Sequence, residues 1–156
     1  MTKTGSEIST SEEIKQTAQD LFSKLTVTGE IDVLEEQEDH FNVNIKTEET
    51  GLIIGHHGDV LNSLQLLLGV IVYKKIGKWI HIVLDVGDYR KAREESIKEM
   101  VTRIIGEVQT SGKPVVLPYL TPLERRIVHM MLADNPTVSS QSEGEGKDRR
   151  VIIKPR

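Results

Sequence analysis

The chain has 156 residues and a mass of 17.5 kDa, enough for one ordinary domain or two small ones. Hydrophobic residues make up 37% and charged residues 28%, the proportions of a folding chain rather than a disordered one. The absence of cysteine excludes a disulfide scaffold, a thiolate zinc site and thiol catalysis, and no apolar run approaches the roughly 18 residues that span a bilayer. The opening Met1-Thr-Lys-Thr-Gly-Ser-Glu7 lacks the apolar core of a signal peptide, so the expected address is the cytoplasm. The net charge of −4 is unevenly spread. Residues 1–69 carry four basic and 13 acidic side chains, whereas residues 70–156 carry 16 basic and 11 acidic ones. The basic second half points weakly to a polyanionic partner.

Residues 1–9 read as a flexible arm. Thr10 with Glu13 has the spacing of a capping box, and Ile14, Ala18, Leu21, Phe22 and Leu25 keep helical spacing behind it, predicting an amphipathic helix ending near Leu25. Residues 27–34 and 41–45 alternate apolar with polar side chains, which predicts two half-buried strands joined by an acidic turn over 35–39. The run 60–73 is too long for a strand. Leu61, Leu64, Leu68 and Ile71 keep helical spacing, and apolar residues on more than one face suit a helix buried against a sheet. Residues 79–86 predict a third strand. Gly87-Asp88 then opens a helix whose buried stripe is Ile97, Val101, Ile104, Ile105 and Val108, stopped by Ser111-Gly-Lys-Pro114. Val115-Val-Leu117 is a short strand candidate. Thr121-Pro-Leu-Glu124 combines a cap, a first-turn proline and a capping-box glutamate, starting a helix that runs to about Ala133 with Leu123, Ile127 and Met131 inward. Residues 137–142 and 149–154 predict two strands across the turn 143–146. The boundary between the two halves is expected near residue 112.

Two segments carry the functional reading. Gly55-His-His-Gly58 lies between two apolar helical stretches, with Ile53, Ile54, Leu61 and Leu64 as the wall beside it. Glycines there allow a tight helix–helix turn and a close approach of backbone N–H groups to a phosphate at a helix N-terminus. In the order α-β-β-α-α-β this connection matches a type II KH domain, whose GXXG loop clamps single-stranded nucleic acid. The second segment is Arg125-Arg-Ile-Val-His129. Arg125 and His129 are four apart and share a helix face bordered by Arg126, offering guanidinium and imidazole groups for phosphate bonding and base or sugar stacking. A plain helix turn and a solvated Arg/His face are the bland alternatives for these two patterns.

Gly51-Leu-Ile-Ile-Gly-His-His-Gly58, Leu84-Asp-Val-Gly-Asp-Tyr-Arg90, Gly112-Lys-Pro-Val-Val-Leu117, Pro122-Leu-Glu-Arg-Arg-Ile-Val-His129 and Ser142-Glu-Gly-Glu-Gly-Lys-Asp-Arg-Arg150 together resemble the bacterial Jag family, also called KhpB, over about residues 10–156. The resemblance implies an α+β chain: a type II KH domain (α-β-β-α-α-β-α, three-stranded sheet) over 10–112, then a small α+β Arg-xxx-His domain over 113–156. It implies single-stranded RNA binding without catalysis or cofactor, with single-stranded DNA as an alternative ligand. By position, the binding residues are Ile54, Gly55, His56, His57, Gly58, Arg125, Arg126, His129, Arg149 and Arg150. It further implies a homodimer or a heterodimer with a small KH protein, roles in cell shape and cell-wall organisation, and an indirect link to a membrane insertase and chaperone. Two departures matter. The family's loop usually holds basic residues, whereas His56 and His57 are mostly neutral at pH 7, so binding should strengthen below about pH 6.5. The basic N-terminal domain and long linker that many members carry have no counterpart in this sequence.

The other chemistry-bearing residues read as structural. Among His40, His56, His57, His81 and His129 no pair has helical ligand spacing, and the adjacent His56 and His57 would point apart, so no metal site is expected. Tyr73, Trp79 and Tyr89 read as core packing, and Asp85 and Asp88 as a strand end and a helix start. The alternative function is a protein–protein adaptor whose KH fold mainly mediates dimerisation. A nuclease using His129 is a third reading that no carboxylate pair supports.

Overall fold

A computed structural model describes residues 8–156, and residues 1–7 of the expected arm lie outside the described residues. The chain divides into two compact units, one ending at Tyr89 and the other beginning at Arg90.

The first unit opens with helix α1 (Thr10–Lys24). Its capping box sits one residue earlier than the spacing of Thr10 and Glu13 suggests. Ser9 Oγ accepts from the Glu12 backbone N–H at 3.2 Å, and Glu12 Oε2 accepts from the Ser9 N–H at 3.1 Å. Glu13 is drawn elsewhere, into a 2.9 Å ion pair with Lys75. Strands β1 (Glu30–Gln37) and β2 (His40–Lys46) form an antiparallel hairpin with Ile31 opposite Ile45 and Val33 opposite Val43. The expected five-residue turn shrinks to Glu38-Asp39, because β1 continues past an irregularity between Glu35 and Gln37 and Asp39 adopts φ 60°.

The chain then forms the short helix α2 (Thr50–Ile54), a 3-10 turn at His56–Gly58 and helix α3 (Asp59–Ile76). This helical crossover brings β3 (His81–Val86) back parallel to β2, since parallel neighbours need a long connection. The sheet order is β1-β2-β3, as expected of the α-β-β-α-α-β arrangement. Ile14, Ala18, Leu61, Leu68 and Val72 from the helices meet Phe41, Val43, Ile45, Ile82, Leu84 and Val86 from alternate strand positions. Full burial of a large apolar side chain contributes roughly 1.5–3 kcal/mol.

The apolar helix α3 is not buried all round. Leu66 (66% exposed), Leu67, Val70 and Tyr73 face outward, because one sheet offers only one face to cover. Tyr73 and Trp79 are likewise not core residues. Trp79 is 62% exposed, and the two rings pack against each other with centroids 5.0 Å apart.

The second unit contains α4 (Tyr89–Ser111, from Arg90 onward), β4 (Val115–Val116), α5 (Pro122–Leu132), β5 (Val138–Glu143) and β6 (Arg150–Pro155). Its sheet order is β4-β6-β5, all antiparallel. By packing, α4 belongs here rather than with the first sheet, so the division lies more than twenty residues before the Gly-Pro signal that set the expected boundary. Ile97, Val101, Ile104 and Val108 form one core with Leu117, Leu120, Val128, Leu132, Val138, Val151 and Ile153. Gly112 and Pro114 end the helix without ending the unit. Among the described residues no helix is long and apolar enough to cross a membrane.

Candidate functional site

Each unit presents one of the two segments singled out in the sequence. In the first, the Gly55–Gly58 connection is dictated by backbone geometry. Gly55 adopts φ 67° and ψ −159°, a region open essentially to glycine, and a Cβ there would lie 2.8 Å from Val60 Cβ. Gly58 adopts φ 85°, where a Cβ would lie 3.1 Å from Tyr89 Cε1. Of the two residues between them, His57 also takes a left-handed conformation at φ 55°. Gly55 is thus required, and Gly58 strongly favoured, for α2 to hand over to α3 across four residues. His56 is exposed and His57 half-buried. Their rings do not point apart: the centroids are 4.0 Å apart and tilted by 44°. Ile54 is half-buried against the core and flanks the turn.

In the second unit, helix α5 is started by a full capping box. Thr121 Oγ1 accepts from the Glu124 N–H at 3.4 Å, while Glu124 Oε2 accepts from the Thr121 N–H at 2.8 Å. The other carboxylate oxygen pairs with Arg93 Nε at 2.8 Å, which allows Glu124 to be only 7% exposed. The inward stripe is therefore Glu124, Val128 and Leu132, with Ile127 and Met131 half-buried beside it. Leu123 is outward and 65% exposed, against expectation, because the cap holds Glu124 inward in its place.

This rotation turns Arg125, Arg126 and His129 toward an open cleft of about 630 Å³, lined also by Met130, Ser140, Ser142 and Arg149. Arg125 is held by a 2.8 Å hydrogen bond from Nη1 to the Leu120 carbonyl. His129 is held from both sides, by Ser140 Oγ at Nδ1 and Ser142 Oγ at Nε2, each 2.7 Å away. Burial, reinforced by the Arg125 and Arg149 charges, pushes its imidazole pKa down from the ordinary value and so favours the neutral ring. A neutral ring has one donor and one acceptor nitrogen, and here both are occupied.

Arg150 is not part of this lining. Its guanidinium donates to the Lys147 and Arg149 carbonyls and lies 5.5 Å from the Tyr119 ring centroid, so it braces the turn before β6. Sequence reasoning missed Ser140 and Ser142. The signal was present: Val138, Ser140 and Ser142 share one face of β5, opposite the buried Val151 and Ile153, so two polar side chains occupy core-facing strand positions. Among the described residues no three His, Asp or Glu side chains converge on a common metal position.

Comparison with known proteins adds to this geometry. A family model described as the KhpA/KhpB KH domain matches residues 11–84, and the model of the Arg-xxx-His ("R-three-H") domain matches residues 95–155. The gap between the two matches contains the packing division at Tyr89 and Arg90. The chain is 34% identical over 134 residues to the RNA-binding protein KhpB of Clostridium symbiosum, covering 85% of this chain and 60% of that one. It is 34% identical over 133 residues to the protein of the same name in Lactiplantibacillus plantarum, covering 85% and 41%, respectively. The same-named protein of Bacillus subtilis is 27% identical over 130 residues, covering 81% and 62%. The chain thus spans about half the length of the curated relatives it matches.

Proposed function

The chain belongs to the KhpB (Jag) family, joining a KH domain to an Arg-xxx-His domain, and from that premise we propose that it binds single-stranded RNA through both units. The observation that carries this reading is the cleft on α5, where Arg125, Arg126 and Arg149 converge and the described lining holds no carboxylate. Guanidinium groups arranged this way suit phosphodiester oxygens, which they bond in a planar fork. A second contact belongs to the Gly55–Gly58 turn, where the exposed His56 and half-buried His57 lie just before the N-terminus of α3. Each contact alone is weak, and their linkage on one chain raises the affinity through effective concentration. Affinity falls with added salt as the gain from releasing phosphate counterions shrinks.

Fluorescence anisotropy with a short randomised single-stranded RNA tests the proposal. His56→Asp places a carboxylate at the loop without the backbone strain that any side chain meets at Gly58, and Arg125→Ala/His129→Ala removes the Arg-xxx-His pair from the second cleft. Weaker binding in both variants supports a two-unit contact. Wild-type affinity in both removes these residues from the interface. Competition by single-stranded DNA of the same length measures the preference for ribose.

A second reading has its own observation. The outward Leu66, Leu67, Val70 and Tyr73 of α3, with Trp79, form an apolar surface of the kind that a partner KH domain covers. Sedimentation without RNA distinguishes this pairing from RNA-driven assembly.

A further inference from the structure

We propose that Ser140 and Ser142 are themselves ligand-contacting residues of the α5 cleft, their hydroxyls aligned by His129 to donate hydrogen bonds to a phosphate of the bound strand. This rests on the reading that the cleft takes RNA phosphate, and it assigns the contact to different atoms from those the Arg-xxx-His spacing suggests.

Both ring nitrogens of His129 lie 2.7 Å from a serine hydroxyl, so neither is available to an incoming phosphate while these bonds last. A serine hydroxyl carries one proton and two lone pairs. With a neutral ring, one nitrogen donates to its serine and the other accepts from its serine. The serine that accepts keeps its proton for a third partner; the serine that donates has spent its own. With an imidazolium, both nitrogens donate, and both hydroxyl protons turn outward. Protonating His129 therefore converts the pair from one available donor to two and adds a positive charge. The two serines both line the cleft, alongside Arg125, Arg126 and Arg149.

Charge surroundings give the direction of the coupling. The charged groups lining the cleft around His129 are Arg125 and Arg126 from α5 and Arg149 from the segment preceding β6, while β5 contributes Ser140, Gln141 and Ser142. Burial, and with it the charges of Arg125 and Arg149, opposes protonation of the ring in the free protein. A phosphate seated among them offsets their charge, so binding takes up a proton and affinity rises as pH falls. His129 is accordingly a positioning residue that acts through its two serines.

The test is RNA anisotropy at pH 6 and pH 7.5 on the full chain, with Ser140→Ala/Ser142→Ala, Ser142→Thr and Arg125→Ala. The threonine keeps a hydroxyl and suits a strand. The proposal expects the double alanine to bind about fivefold or more weakly at pH 6 and to lose much of the wild-type gain between pH 7.5 and pH 6, as the loss of charge-assisted hydrogen bonds implies. Ser142→Thr stays within about twofold of wild type, because the hydroxyl is retained. Ring ¹⁵N shifts of His129, recorded with and without RNA at pH 6.5, move toward the imidazolium pattern on binding. A double-alanine variant with wild-type affinity and pH ratio, while Arg125→Ala loses affinity, would show that the serines only hold the ring and would overturn the proposal alone. Wild-type protein that fails to bind at either pH overturns the RNA reading itself.

Discussion

Single residues decide how the two candidate contacts are built. Gly55 is the most constrained of them, since its φ and ψ and the nearby Val60 side chain both exclude a Cβ. Gly55→Ala is expected to destabilise the turn by about 1–3 kcal/mol, measured as a lower denaturation midpoint. An unchanged midpoint would mean that the turn relaxes into another conformation. His129 carries a pH dependence of stability. Its folded pKa lies below the ordinary value, so the unfolded chain binds more protons. The His129 contribution is complete above the unfolded pKa and declines as pH falls through about 6.5 toward the folded value. Thermal melts between pH 7.5 and 5 should show a shallower acid slope in His129→Gln than in wild type. The same proton that costs stability in the free protein favours ligand binding, so the two slopes have opposite signs.

At the scale of elements, α5 and α3 show how a helix chooses its face. The apolar pattern of α5 permits Leu123 inward, yet the capping box and Arg93 together draw Glu124 into that place. Glu124→Ala removes both the reciprocal cap and the carboxylate paired with the half-buried Arg93. It should cost about 3 kcal/mol in chemical denaturation, with Glu124→Gln losing less because it keeps a capping oxygen. Equal losses for both variants would assign the effect to the carboxylate charge, which both remove, rather than to the cap or packing, which only the alanine removes. In α3 the excess of apolar residues does not mean complete burial. Leu66→Lys/Val70→Lys alters only the outward face, so it should leave the melting temperature within a few degrees while abolishing any self-association or partner KH binding seen by sedimentation. A fall in melting temperature without change in association would argue against an interface on that face.

For the whole molecule, the division after Tyr89 predicts which fragments fold. Residues 90–156 contain every side chain of the second core, and circular dichroism of that fragment should show a cooperative melt. Residues 113–156 lack Ile97, Val101, Ile104 and Val108, and the seven remaining buried side chains face an open side. That shorter fragment should be unfolded, because a core of this size cannot offset the chain entropy. A folded 113–156 fragment would restore the boundary at the Gly-Pro signal.

Local chemistry determined much of this protein directly from its residues. Helices α1, α4 and α5, the hairpin, the third strand and the closing β5–β6 pair all follow from periodicity, caps and turn residues, since these act within one element or between neighbours in the chain. The GXXG turn and the Arg125–His129 face were legible for the same reason. Tertiary structure decided what depends on long-range contact. It assigned α4 to the second core, although a Gly-Pro stop signals only where a helix ends and not what covers it. It left the outer face of α3 and the Trp79 ring exposed, since hydropathy cannot report how many layers a sheet receives. It occupied Arg150 with Tyr119 and nearby carbonyls, and it set Ser140 and Ser142 against the two nitrogens of His129. Those last contacts join residues 11 and 13 positions apart on different elements, where only the packing of α5 on β5 fixes the distance.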